Sequence, residues 1–277
     1  MKKLPVTMNE EDLKTLEWAT RHLEHPSLAA RLTSVVGTPI EIGVKLLPRP
    51  LYKKTRDFAD LAISKAMQTA LSSLRHDKEP DSHDGFYRVL AAGSGALGGM
   101  FGLYSLPFEF GISTTIMLRS IAEIARYQGE DIHEPEARLA CMEVFALGGQ
   151  SEADDAADTG YYGIRLALSW PVTHAAHHIA RHGLTADGGP LLVSLISGIS
   201  SRFHVALSQK AAAQMVPLIG AAGGAAINMI FMSHFQEMAH GHFAVRRLER
   251  KYGHDLVQAN YETICRKSDP RRPYRGI

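Results

Sequence analysis

Near the end of the chain Asn228, Phe235, His242 and Glu249 follow one another at intervals of seven. At about 100° per residue that spacing sets all four on one face of a helix. Arg246 stands about 40° from His242 on the same side. Phe231, Met238 and Val245 run alongside, so the stripe is apolar with polar groups set into it. A polar group on a core-facing stripe needs a partner, because leaving it unpaired costs about 1–3 kcal/mol. Such a stripe reads in two ways: as a buried network that fixes helix register, or as a site whose titratable groups are tuned by burial. An upstream segment repeats the pattern with Glu109, Ile116 and Glu123. Its two carboxylates are roughly 21 Å apart along a helix, too far to form one acid–base pair. Each must find a partner elsewhere, although Arg119 stands four residues before Glu123 and can pair with it. Glu109, Arg119, Glu123, Asn228, His242, Arg246 and Glu249 therefore form a candidate polar cluster between segments 107–127 and 217–252. In the register reading Glu249 pairs with a buried cation such as Arg246. In the site reading the chemistry is a hydrolysis.

A metal ion is the other chemistry to weigh. Glu237-Met238-Ala239-His240 has the Glu-x-x-His spacing of carboxylate-bridged di-metal bundles. Glu143 is a further carboxylate that such a divalent-metal site could draw on, but a second Glu-x-x-His is missing. His174, His178 and His182 recur every four residues without a neighbouring carboxylate or cysteine, as an exposed histidine-rich face would. Gly93-Ser94-Gly95-Ala96-Leu97-Gly98 spells a dinucleotide fingerprint but lacks the strand that must precede it, which excludes a nucleotide site. Neither cysteine stands in a nucleophile motif, and no Gly-x-Ser-x-Gly elbow occurs.

The elements that must position these groups are helical. The chain has 277 residues, 45% of them hydrophobic, with 30 basic against 29 acidic side chains. That balance argues against a nucleic-acid partner. Two cysteines cannot build a disulfide framework, and the polar N-terminus lacks a secretion signal, so the expected compartment is cytoplasmic. No run alternates apolar and polar residues long enough for a sheet. The expected fold is all-α, a single multi-helix bundle. Asn9 or Thr7 caps a first helix ended by Pro26, and an amphipathic helix spans about Tyr52–Leu74. Further helices cover 85–104, 107–127, 134–147, 161–182, 190–209 and 217–252. Residues 1–84 read as N-terminal helices on a core of 85–264, and 265–277 as a basic, flexible tail.

Val89–Phe108 and Ala211–Ser233 are free of Asp, Glu, Lys and Arg for 20 and 23 residues and rich in glycine. They read as central helices packed closely through small residues; a hairpin that enters a membrane is the rival. Gly129 and Gly253 each close a helix opened by a proline, a weak internal repeat. Charge is segregated: Glu130–Asp158 carries nine acidic residues and one basic, whereas His242–Ile277 carries nine basic and four acidic. Lys45, Arg49, Lys53, Lys54 and Arg56 form a second basic cluster. Basic clusters of this kind read either as solvated faces or as peripheral contacts for anionic membrane lipid or a membrane protein.

Several segments together resemble the EcsC family, bacterial proteins named after the third member of an operon that also encodes an ABC transporter. They are Val36-Gly37-Thr38-Pro39-Ile40-Glu41; Gly98-Gly99 through Leu106-Pro107-Phe108-Glu109; the stretch Thr114–Ala122; Ala225-Ala226-Ile227-Asn228; and Gly241-His242-Phe243-Ala244-Val245-Arg246 through Gly253. The resemblance implies a cytoplasmic or membrane-associated accessory role in an envelope, transport or secretion process. It assigns no catalytic residue.

Overall fold

The computed structural model describes residues 7–24, 28–73, 84–101, 106–149, 160–182, 189–215 and 220–268. Among them are eleven helices and no strand: α1 Glu10–Glu24, α2 Leu28–Val36, α3 Ile40–Leu46, α4 Arg49–Ser73, α5 Asp84–Phe101, α6 Leu106–Tyr127, α7 Pro135–Leu147, α8 Tyr161–His182, α9 Gly189–Gln214, α10 Gly220–Tyr252 and α11 His254–Ser268. The protein is all-α, as its periodicity predicts. The polar connector around Arg75–Ser82 and the tail around Arg271 lie outside the described residues.

Helix boundaries follow local chemistry. Asn9 caps α1, its Oδ1 accepting the Asp12 amide at 2.7 Å. Pro135 opens α7 in the first turn, where its missing N–H costs nothing. Gly129 and Gly253 stop α6 and α10 at φ of 81° and 90°, a left-handed conformation that a side chain would strain. The Gly253 amide returns to the Glu249 carbonyl at 2.8 Å.

Two helices organise the core. α10, 33 residues and about 50 Å long, is contacted by α1, α2, α5, α6, α7, α9 and α11. α7 is buried on every side from Ala137 to Leu147, the signature of a helix enclosed by others. Between them Phe145, Phe203, Phe231 and Phe235 pack edge-on or tilted, with centroids 5.1–6.3 Å apart.

The glycine-rich segments pair with each other, since α5 runs along α10 in the most extensive helix–helix contact of the fold. The expectation that α5 is a buried central helix needs correcting at its first half. Tyr87 and Ala91 face inward, but Phe86, Val89 and Leu90 are exposed, so residues 84–94 form an outer layer on α10. No helix among the described residues is long and apolar enough to cross a membrane. The chain end also differs from expectation: α11 continues past 264 to Ser268 and buries Val257, Tyr261 and Cys265.

Candidate functional site

The heptad face of α10 points into the protein, and each polar member meets a different neighbour. Asn228 Nδ2 donates to the Ala91 carbonyl at 3.0 Å and to Ser94 Oγ at 3.1 Å, pinning α10 to α5. Two turns further on, Gln236 Nε2 donates to Ser120 Oγ on α6 at 2.9 Å. His242 is fully buried; its Nδ1 shares a 3.0 Å hydrogen bond with the Tyr161 hydroxyl of α8, and its Nε2 stands 3.6 Å from Glu143 Oε2 of α7. Glu249 accepts two hydrogen bonds from the Arg165 guanidinium, at 2.8 and 3.0 Å, and one from the Tyr162 hydroxyl at 2.9 Å.

Arg246 is not the partner of Glu249. It reaches Glu130, just beyond the Gly129 stop, at 2.9 and 3.1 Å, and Arg250 binds the same carboxylate. Glu130, the first residue of the acidic stretch, thus pairs with two arginines from the basic end of α10. Burial works to raise the pKa values of Glu130 and Glu249, and their arginines outweigh it, so both stay ionised below the usual carboxylate range.

Glu143 and His242 behave differently. Burial pushes the Glu143 carboxyl up to about 7, against the charges of Arg165 and Arg246. Burial holds His242 well below the ordinary imidazole value, and Arg165 and Arg246 add to that. Near neutrality the histidine is neutral, and the carboxyl beside it is balanced between its two protonation states.

Glu143 and Arg165, but not His242, line an open cavity of about 820 Å³ between α7, α8 and α11, to which α1 adds Glu24 and α10 adds Arg246. Glu24 is fixed there by the Tyr161 amide at 3.0 Å and the Tyr261 hydroxyl at 2.8 Å. Tyr161 and Tyr261 stack with centroids 5.5 Å apart.

The remaining predicted residues lie elsewhere. Glu123 accepts the Tyr87 hydroxyl at 2.5 Å, and Arg119 is exposed beside it. The Glu109 side chain lies outside the described residues. Glu123 and Asn228 therefore belong to the α5 contact, and Asn228 lies about 21 Å along α10 from His242. The candidate metal ligands also separate. Glu237 is held by Arg31 through two bonds of 2.7 Å, His240 pairs with Asp84 at 2.7 Å, and Glu143 faces His242. Among the described residues no three His, Cys, Asp or Glu side chains are grouped to hold a metal ion.

A family model, the EcsC protein family, matches residues 10–248. The chain belongs to the EcsC family. The match takes in α1 to α9 and α10 as far as Leu248, so both the Asn228 contact and the His242–Glu143 pair fall within EcsC family sequence. Searches among curated proteins and among solved structures give no match.

A second surface stands apart from the cavity. α3 turns Ile40 inward and packs Gly43 against Ala212 of α9, where an added Cβ would come within 3.3 Å. Its outer face and the start of α4 expose Ile42 (50%), Leu46 (73%) and Tyr52 (45%). Lys45, Arg49, Lys53, Lys54 and Arg56 are exposed on the same stretch of chain. Sequence reading found these cations by composition. It did not find the apolar side chains among them, because their exposure depends on which face α9 covers.

Proposed function

We propose that this EcsC-family protein is a peripheral membrane protein that docks on anionic lipid through the corner between α3 and α4, as an accessory to an envelope, transport or secretion process. The observation that carries the reading is the exposure of Ile42 and Leu46 on a stretch that also exposes Lys45, Arg49, Lys53, Lys54 and Arg56. Apolar side chains left in water gain by entering the interfacial region of a bilayer, and these lysines and arginines are attracted to anionic headgroups. Five cations at about 1 kcal/mol each, less the exposed Glu41 and Asp57, amount to an attraction of about 3 kcal/mol that salt screens. The family resemblance, to proteins named from an ABC-transporter operon, supports the same setting. The candidate cluster between α6 and α10 supports an enzyme less well: Glu123, Asn228, His242, Arg246 and Glu249 are each held by a different partner outside the cluster.

The test is sedimentation with vesicles of phosphatidylcholine, with and without about a third phosphatidylglycerol. Binding should require the anionic lipid, fall with added salt, and be lost when Lys45, Arg49 and Lys53 are replaced by glutamate. Equal binding to neutral vesicles, or full binding by the charge-reversed variant, refutes the proposal.

A further inference from the structure

Glu143 lines the cavity, and none of the described residues donates a hydrogen bond to its carboxylate. It stands on the most enclosed helix of the fold, and its side chain is only 7% exposed. The nearest polar atom described for it is His242 Nε2, at 3.6 Å beyond hydrogen-bonding reach and on a neutral ring. The cations nearby are already engaged: Arg165 is held by Glu249 and Arg246 by Glu130. Neither guanidinium is left over for an anionic ligand, whereas a ligand that brings a charged N–H meets a carboxylate to which no described residue donates.

The rest of the cavity agrees with that polarity. Its lining holds five carboxylates against three guanidinium groups. Tyr162, whose ring already takes the Arg165 guanidinium at 5.5 Å from its centroid, and Tyr261 add aromatic wall. Leu166 and Val172 provide an apolar side for the body of a ligand. About 820 Å³ lies within the range of small-molecule sites.

We propose that this cavity binds a small organic ammonium, an amine carried on an apolar body, with Glu143 accepting from the charged nitrogen. The site is separate from the α3–α4 surface and does not depend on membrane docking. Binding favours ionised Glu143, so below neutrality the proton on its carboxyl must leave as the ammonium enters. The charged and titratable groups acting on that carboxyl are His242, Arg246 and Glu249 on α10, Arg165 on α8 and Glu136 on α7. Arg165 and Arg246 favour the ionised form, whereas Glu136 and Glu249 oppose it.

The experiment is titration calorimetry of the full chain with hexylammonium, phenethylammonium and, as a body of similar size and opposite charge, hexanoate. It is run near pH 6 and pH 8 in two buffers that differ in ionisation heat. The two ammonium compounds should bind saturably and hexanoate should not. Glu143→Gln should weaken the ammonium compounds at least tenfold. Wild-type binding should release most of one proton near pH 6 and almost none near pH 8. Saturable binding by neither ammonium compound, equal binding of hexanoate, or unchanged affinity in Glu143→Gln overturns the proposal. Should that variant fail to fold, the wild-type proton count decides, and binding without proton release near pH 6 also overturns it.

Discussion

Removing the Glu249 carboxylate is the sharpest test of how α10 is held. Its side chain is 11% exposed and that of Arg165 is 18% exposed, so both charges are largely withdrawn from water. Glu249→Ala takes away both acceptors of the Arg165 guanidinium and the acceptor of the Tyr162 hydroxyl. Breaking a buried pair by deleting one partner costs about 3–5 kcal/mol, because the remaining charge stays desolvated. Arg165 and Tyr162 both line the open cavity, where water can partly replace the lost carboxylate, so the expected cost lies near 3 kcal/mol. For a chain of this size that corresponds to a melting temperature lower by roughly 6–12 °C. Replacing both partners, as Arg165→Met with Glu249→Leu, removes the stranded charge and should recover most of the loss. Urea unfolding of the two single variants and the double variant measures the coupling directly. A cost under about 1 kcal/mol for Glu249→Ala, or single effects that simply add, would refute the buried pair.

Glu143→Gln should change how stability depends on pH. The folded pKa of Glu143, about 7, lies above its ordinary value of 4.5, so the folded chain binds more protons than the unfolded chain between those values. Wild-type stability from this group is full below pH 4.5 and is lost as pH rises through 7, by an amount on the order of 3 kcal/mol. The variant should gain on wild type from about pH 5 to 7 and level off above; a difference in urea midpoint that does not vary with pH would refute the shift. His234, which burial lowers to about 4, acts in the opposite sense: its contribution is lost as pH falls from 6.5 through 4. A His234→Gln variant should therefore lose less stability than wild type on acidification over that range. Gly93→Ala and Gly111→Ala, in helix interiors with nothing within 4 Å of the added methyl, should each raise stability by up to about 1 kcal/mol in thermal melts. Gly149→Ala would drive its Cβ into the backbone carbonyl of Arg202 on α9 and should cost about 1–3 kcal/mol or more.

The helices were legible because their signals are local. Asn9, Pro135, Gly129 and Gly253 punctuate the chain through backbone chemistry that needs no tertiary context. The inward face of α10 was legible for the same reason, since spacing alone sets Asn228, His242 and Glu249 on one side. Partners were another matter. A helical wheel puts Arg246 near Glu249, yet the two side chains turn to Glu130 and Arg165, residues that only the packing of α8 and the α6–α7 turn brings close. The cavity was invisible because α1, α7, α8, α10 and α11 supply its walls from widely separated stretches. Tyr161, Tyr162 and Arg165 do share a short motif on α8, and one arginine three residues after a tyrosine pair was a usable clue. α11 was also readable, from Leu256, Val257, Tyr261, Ile264 and Cys265, but the basic residues after it suggested an unfolded tail.

The polar pins along α10 show why a long helix rich in glycine and alanine keeps one register. Apolar contacts between smooth surfaces change little when one helix slides past another, whereas a displacement of one turn, about 5.4 Å, separates every hydrogen-bonded pair. Asn228 ties α10 to α5, Gln236 to α6, His242 to α8, and Arg246 to the turn after α6. Each buried group stranded by such a slip would cost about 1–3 kcal/mol. Several at once would match or exceed the whole stability of a typical domain. His242 and Glu249 are therefore accounted for by packing. Glu143, to which no described residue donates a hydrogen bond, is not, and that difference separates the register device from the cavity beside it.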